Sequence, residues 1–297
     1  MTISKSKDSI GIVGLGIMGG AFATNLSAAG WKIVGFDVSK ERCAELQKLG
    51  VSIAADVAEV VAKCAVVMTS LPSLEAIDTV AKEIAAAKSS PRIVMEMSTI
   101  PLDDKERFGK TVAAAGHTPI DCPVSGTGAQ AATKDLVLYP SGDSKAIASL
   151  APVIADFTRG YYDVGVYGNG SKMKYIANHL VAIHNVASAE AMILAEKAGL
   201  DLDVVTKCIG DGAGASRMFQ MRAPLMTHGN YKPATMKMSI WKKDMETIGA
   251  FARDLGVATP VFDSTKPIYD KGLAQGRDDE DTAAVFSVMG GKGKGDK

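Results

Sequence analysis

Three glycines carry the clearest chemistry in this sequence. Residues 10–25 read IGIVGLGIMGGAFATN, so Gly14, Gly16 and Gly19 form GxGxxG directly behind a β-branched run and at the opening of a helical stretch. In that context the first glycine permits a tight turn, and the second lets the backbone approach a pyrophosphate. The third lets the helix pack on the strand, while the leading helix N–H groups meet the phosphate charge. Leu15, Ile17 and Met18 complete the loop. A second run, KIVGF, ends at Asp37, about 20 residues on, where an acid accepts from adenosine ribose hydroxyls. Together they predict a dinucleotide site. Asp37 would repel a 2′-phosphate and so favours NAD, whereas Ser39, Lys40 and Arg42 follow closely and leave a route to NADP.

Three later segments carry polar groups at suggestive spacing. Asp121 to Gly128 reads DCPVSGTG, in which Ser125 and the backbone of Gly126 and Thr127 can turn donors toward one anion. At residues 168–180 the chain reads GNGSKMKYIANHL; Lys174 and Asn178 stand at i and i+4, on one helix face. Near the end comes WKKDM, with Lys243 at its centre. Taken singly, the first is as readily a plain turn, and each lysine is more readily a solvated charge. The four histidines show no HExxH or similar spacing and the four cysteines form no CxxC pair, so the sequence supports neither a metal site nor disulfides.

The elements that must position these groups follow from periodicity. Ile10 to Val13, Lys32 to Phe36, Ala65 to Thr69 and Arg92 to Met95 read as buried parallel strands. Helical stretches at Gly20 to Ala29 and Ser39 to Leu49 lie between them and close on Gly30 and Gly50, where a left-handed C-cap is wanted. The rhythm is βαβ, which predicts a doubly wound, mostly parallel α/β sheet. From Gly168 onward the pattern becomes helical, beginning with Ile176, Leu180, Ile183 and Ala187. The glycine-rich stretch Tyr161 to Gly170 separates the two regimes. The expected division is a dinucleotide-binding domain over 1–165, an all-helical domain over 166–290 and a disordered tail, GKGKGDK, over 291–297.

Composition narrows the function classes. Lys plus Arg (33) balances Asp plus Glu (33) over 297 residues, which removes the positive field of a nucleic-acid or membrane-surface binder. The first residues lack the apolar core of a secretory signal, and the sequence holds no apolar run long enough to span a bilayer. A cytoplasmic protein with a small-molecule ligand is expected.

In order and spacing, the four segments resemble the β-hydroxyacid dehydrogenase family, over nearly the whole chain. GLGxMG matches Gly14 to Gly19, DxPVSG matches Asp121 to Gly126, GxGxxxKxxxN matches Gly168 to Asn178, and the family's KD pair matches Lys243 and Asp244. The resemblance implies a Rossmann domain, a long interdomain helix, a helical domain, and homodimers or homotetramers. It also implies that Leu71 and Pro72 line the dinucleotide and that Ser98 and Thr99 sit beside the nicotinamide. Two departures stand out: Thr127 replaces the second glycine of PVSGG, and Lys134 occupies a turn where positive φ would be costly.

On this basis the expected reaction is reversible oxidation of a small β-hydroxy acid, with Lys174 as general base and Asn178 orienting the hydroxyl. Ser125, Gly126 and Thr127 would hold the carboxylate, with Lys243 adding charge beside it and reaching the cofactor. Imine reductases share the architecture but lack the lysine at position 174. A catalytically idle dinucleotide sensor or scaffold would leave Lys174, Asn178 and Lys243 unexplained as a set.

Overall fold

A computed structural model describes residues 3–294. Its compact units divide between Lys174 and Tyr175, inside one long helix. Lys174 therefore belongs with the sheet unit rather than with the helical one.

In the first unit, strands and helices alternate: β1 (Ser9–Val13), α1 (Ile17–Ala28), β2 (Lys32–Phe36), α2 (Lys40–Gln47), β3 (Ser52–Ile53), α3 (Val57–Lys63), β4 (Val66–Thr69), α4 (Leu74–Ala86), β5 (Ile93–Glu96), α5 (Leu102–Ala114) and β6 (Thr118–Asp121). Shorter pieces follow: β7 (Val124–Ser125), α6 (Gly128–Ala132), β8 (Val137–Leu138), β9 (Ser141–Gly142), α7 (Ser144–Ser149), α8 (Ala151–Ala155) and β10 (Gly160–Tyr161). The main sheet has the order β3-β2-β1-β4-β5-β6-β9. The first six strands pair in parallel, and β9 returns antiparallel to β6. The strands are apolar on both faces because helices cover both. Ile10 and Ile12 join Phe22 and Leu26 in one core layer, whereas Val13 joins Val60, Val61 and Val67 in the other. Each such burial contributes about 1.5–3 kcal/mol. Strand order reverses at β1 and β4, which opens a crevice beyond their carboxyl ends, where open α/β sheets bind ligands. Gly30 and Gly50 take φ of +91° and +87°, the left-handed values their places behind α1 and α2 require.

Among the described residues the second unit is helical. The long helix α9 (Asn169–Lys197) leads into α10 (Leu202–Asp211), α11 (Arg217–His228), α12 (Met238–Asp254), α13 (Pro260–Ala274), a 3-10 turn at Thr282–Ala284 and α14 (Val285–Val288). The apolar periodicity of α9 does not mark its core face. Ile176 and Leu180 are 54% and 47% exposed, and the outward stripe continues to Leu194. The buried face carries Tyr175, Asn178, Ala182, Asn185, Val186, Ser188, Ala189 and Met192. The Asn185 amide nitrogen is satisfied internally, donating to Tyr269 Oη (3.0 Å) and to the Thr282 carbonyl (2.9 Å), whereas its oxygen is buried without a partner.

The described part of the tail is also ordered, contrary to the expectation from composition. The backbone N–H groups of Lys292 and Gly293 donate to Glu196, and Lys294 Nζ pairs with Asp201 (3.0 Å) and Asp203 (2.6 Å). Charge complementarity with the start of α10 fixes a sequence that would not fold by itself; residues 295–297 of the expected disordered tail lie outside the described ones. No helix among the described residues is long and apolar enough to cross a membrane.

Candidate active site

The glycine loop joins β1 to α1 at the strand-order reversal. Gly14 has φ +90°, and a Cβ there would lie 2.2 Å from the Ser70 carbonyl oxygen behind β4. A Cβ on Gly19 would lie 1.9 Å from the Gly14 carbonyl oxygen, so both positions require glycine. Gly16 differs: no atom lies within 4 Å of its absent Cβ. Open space over the second glycine, at the N-cap of a helix with no side-chain cap, is the cradle a pyrophosphate needs. Leu15 is buried behind the loop and Ile17 is 72% exposed at its front, with Met18 and Gly19 in the first turn.

Asp37 stands at the end of β2, as expected, but its carboxylate also has local work. Oδ2 accepts from the Leu15 N–H (2.6 Å) and Oδ1 from the Ser39 N–H (2.8 Å). A carboxylate offers about four acceptor sites, so two bonds leave capacity for ribose hydroxyls. Arg42 lies across the same loop, donating to the carbonyls of Leu15 (3.1 Å) and Gly16 (3.2 Å).

Beyond β4 and β5 the loops holding Leu71-Pro72 and Ser98-Thr99 are tied together. The Leu71 N–H donates to Ser98 Oγ (2.8 Å), and the Ser98 N–H donates to Glu96 Oε1 (2.9 Å). Glu96 sits beside Asp121 in the β5–β6 register, and both are fully buried. Between them lies the buried Lys105 of α5, paired with Glu96 Oε2 and with Asp121 Oδ1 (3.2 Å) and donating to the Ser98 carbonyl (2.9 Å). Burial alone would pull the Lys105 ammonium toward neutrality, but the two carboxylates override it and hold its pKa above the ordinary lysine value. Asp121 also reaches the start of α9, where Oδ2 accepts from the Ser171 N–H (2.7 Å) and Oδ1 from Ser171 Oγ (3.0 Å). The Gly170 N–H donates to Ser141 Oγ (2.9 Å). A Cβ on Gly170 would lie 2.3 Å from the Tyr139 carbonyl oxygen, so glycine alone allows this approach. A carboxylate capping helix N–H groups is favourable in both hydrogen bonding and dipole.

One turn further, Lys174 is 9% exposed, and Asn178 on the same face is 5% exposed. Within the second unit Asn178 Nδ2 donates to Asp244 Oδ2 (3.2 Å), which fixes the amide. Lys243, the neighbour of Asp244 on α12, is exposed. His179 stacks on Phe262 with ring centroids 5.0 Å apart, a packing role.

The DCPVSGTG loop lies against the glycine loop: a Cβ on Gly128 would lie 2.5 Å from Ile17 Cγ2, and Asn25 Nδ2 of α1 donates to the Ala131 carbonyl (2.8 Å). Ser125 and Gly126 are half-buried, and Gly126 has φ +141°. Thr127 turns both its N–H (3.0 Å) and its hydroxyl (3.3 Å) to the Gln130 side-chain oxygen. Both donors of Thr127 are thus spent within its own loop rather than free for an anion, contrary to the expectation for this residue. Lys134 adopts φ +60°, so the strain that its place in the turn suggested is present.

Sequence reasoning did not single out Glu96, Lys105 or Ser171, and it named Asp244 only as part of the KD pair, without a role. A signal existed for Lys105: it shares the buried stripe of α5 with Phe108, Gly109 and Val112, where a charge demands a partner.

Comparison with known proteins agrees with this layout. Residues 9–168 match the model of the NAD binding domain of 6-phosphogluconate dehydrogenase, and residues 168–289 match the NAD-binding family of NADP-dependent 3-hydroxyisobutyrate dehydrogenase. An L-threonate dehydrogenase of Cupriavidus necator is 31% identical, over 95% of this chain and 96% of that protein. The chain belongs to the β-hydroxyacid dehydrogenase family. A 3-sulfolactaldehyde reductase of Escherichia coli is 28% identical over 95% of each chain. A solved 3-hydroxyisobutyrate dehydrogenase of Mycobacterium tuberculosis with L-serine is 26% identical, with TM-score 0.86 over 95% of this chain and 99% of that one. As a β-hydroxyacid dehydrogenase, this protein is an NAD(P)-dependent oxidoreductase, with the Rossmann unit, long helix and helical region of that fold.

Proposed function

We propose that the substrate is a small acid with a free carboxylate and a hydroxyl on the β carbon, and that Lys174 exchanges the hydroxyl proton. The observation that carries this reading is Lys174 itself: it is nearly buried, one helical turn beyond the Asp121–Ser171 anchor, on the face shared with Asn178. A surface lysine needs no such anchoring. When bound, the nicotinamide accepts or returns the hydride. Lys174 takes the hydroxyl proton in the oxidative direction and returns it in the reductive one. Asn178, its amide fixed by Asp244, orients the hydroxyl. Ser125 and the Gly126 backbone hold the carboxylate, and Lys243 adds positive charge. The residues that would hold the dinucleotide are Gly14 to Gly19, Asp37, Leu71, Pro72, Ser98 and Thr99, and Asp37 favours NAD over NADP. The exposed stripe Ile176, Leu180 and Leu194 on α9 suits a homo-oligomer, and four unpaired thiols suit the cytoplasm.

The test compares 3-hydroxyisobutyrate, 3-hydroxypropionate, glycerate, L-threonate and serine with their methyl esters, following NADH absorbance. A charge-assisted hydrogen bond contributes about 1.5–3 kcal/mol, so esters should lose roughly tenfold or more in kcat/KM, and Ser125→Ala should shrink that gap. Equal rates for acids and esters would reduce the DCPVSG loop to a plain turn.

A further inference from the structure

The buried Glu96–Lys105–Asp121 cluster holds two carboxylates and one ammonium, all fully buried, and nothing in the reaction described above uses it. Its hydrogen bonds run outward in two directions. Through Glu96 and the Ser98 carbonyl it holds the strand-end loop of Ser98 and Thr99, and through Ser98 Oγ it reaches Leu71. Through Asp121 it holds the N–H and hydroxyl of Ser171, three residues before Lys174. The backbone on the far side of Lys105 is held as well, because Tyr167, just ahead of α9, donates its hydroxyl to the Lys105 carbonyl (3.1 Å) and packs over Gly109.

We propose that Lys105 is a positioning residue: by bridging Glu96 and Asp121 it sets the strand-end loop at Ser98 and the first turn of α9 at Ser171 in fixed register, so that cofactor and proton acceptor are placed by one ion cluster. The physical reason is charge. Without the ammonium, Glu96 and Asp121 are two adjacent carboxylates in a dry interior, which cannot both remain ionised in that arrangement. Either one takes a proton or the two segments separate, and both outcomes disturb the acceptors that fix Ser98 and Ser171. A proton transfer such as the one assigned to Lys174 is sensitive to placement errors of about 1 Å. This proposal rests on the assignment of Lys174 as the proton-exchanging residue.

The experiment uses the full chain with the fastest acid of the panel above. It measures kcat per NADH-binding site, the Kd of NADH by fluorescence and the pH profile of kcat for Lys105→Met, Lys105→Arg, Ser171→Ala, Ser98→Ala and the Lys105→Met/Ser171→Ala double variant. Ser171→Ala removes the hydroxyl bond of the α9 arm, and Ser98→Ala removes the Oγ link from the strand-end loop to Leu71 while the backbone bonds of Ser98 to Glu96 and Lys105 remain; each is a single hydrogen bond, so the expected effects are roughly twofold to tenfold. Ser171→Ala should lower kcat and shift its pH profile with the NADH Kd unchanged, whereas Ser98→Ala should weaken NADH with the profile unchanged. Lys105→Met should show both losses, the double variant should lose no more kcat than Lys105→Met alone, and Lys105→Arg should recover part of each. A Lys105→Met enzyme that only melts earlier, with kcat per site, Kd and pH profile of the parent, overturns the proposal. If Lys105→Met does not fold, a parental kcat and pH profile in Ser171→Ala overturn it equally. Normal kcat in Lys174→Met would instead remove the proton-transfer assignment, and with it the α9 arm of the proposal.

Discussion

Each unit of the molecule contains a buried ion cluster, and the two serve different ends. In the sheet unit, Lys105 bridges two carboxylates at the carboxyl ends of β5 and β6, and their hydrogen bonds end on the strand-end loop expected to hold the cofactor and on the first turn of α9, which carries Lys174. In the helical unit Arg222 of α11 pairs with Asp281 (2.9 Å), and that carboxylate accepts from the N–H groups of Thr235 (2.8 Å), Met236 (3.2 Å) and Ala283 (2.9 Å). Those partners staple the loop ahead of α12 to the chain ahead of α14, and none is a candidate site residue. Burial is thus similar in the two clusters, although one holds two carboxylates against a single cation and the other one of each. What separates a site element from a structural one is where the outer hydrogen bonds terminate.

The largest effect that tests this contrast is on stability. Arg222→Met leaves Asp281 buried and uncompensated, which should cost about 3–5 kcal/mol in a urea melt while kcat per folded molecule stays at the parental value. A fall in kcat or a weaker NADH Kd in that variant would erase the distinction between the clusters. Next in size, Lys174→Met should lower kcat by roughly 10²-fold or more with NADH binding retained, the reverse of the Arg222 pattern. Near-normal turnover would return Lys174 to the class of structural lysines.

Cofactor choice is a smaller effect within the sheet unit alone. Wild-type kcat/KM should be at least about tenfold higher with NAD than with NADP, because the Asp37 carboxylate repels a 2′-phosphate, and Asp37→Ala should narrow that ratio. A wild-type preference for NADP would show that Arg42, across the Leu15 and Gly16 carbonyls, governs the site instead. The smallest effect involves neither cluster. Burial holds the His117 pKa below the ordinary histidine value, and its Nδ1 accepts from the Arg92 N–H (3.1 Å). The unfolded chain therefore binds a proton first, so stability that is full at neutral pH should begin to fall as pH drops through about 6.5. Thermal melts at pH 7 and pH 5.5 should show a smaller drop for His117→Gln than for the parent; an equal drop would place the acid sensitivity elsewhere.

Much of this was legible in the residues. The alternation of β-branched runs with helices, the GxGxxG context and the Gly30 and Gly50 caps each rest on a local rule, and local rules survive folding. Three features were not legible for a common reason. The apolar stripe Ile176–Leu180 correctly marked a helix but pointed to the wrong face, because periodicity does not say whether an apolar stripe meets its own chain. The inward face of α9 mixes Tyr175, Val186 and Met192 with small residues and amides, and that polar share blurs its hydropathy signal. Likewise LDDKERFGK reads as a solvated charged helix until β5 and β6 bring Glu96 and Asp121 to Lys105. The order of the tail through Lys294 depends in the same way on distant partners, Asp201 and Asp203.

The Asp37 carboxylate has an evolutionary consequence. Because the same two oxygens hold the Leu15 and Ser39 N–H groups, loop order and cofactor preference cannot drift independently. A lineage moving toward a 2′-phosphorylated cofactor must lose the negative charge, yet any apolar replacement strands two donors, each costing about 1–3 kcal/mol where it is buried. Asparagine keeps an acceptor without the charge, and Arg42 is already stationed over the loop to meet a phosphate. The accessible path therefore runs through a neutral amide at position 37 before any gain of positive charge, and the reverse order would cross a less stable intermediate.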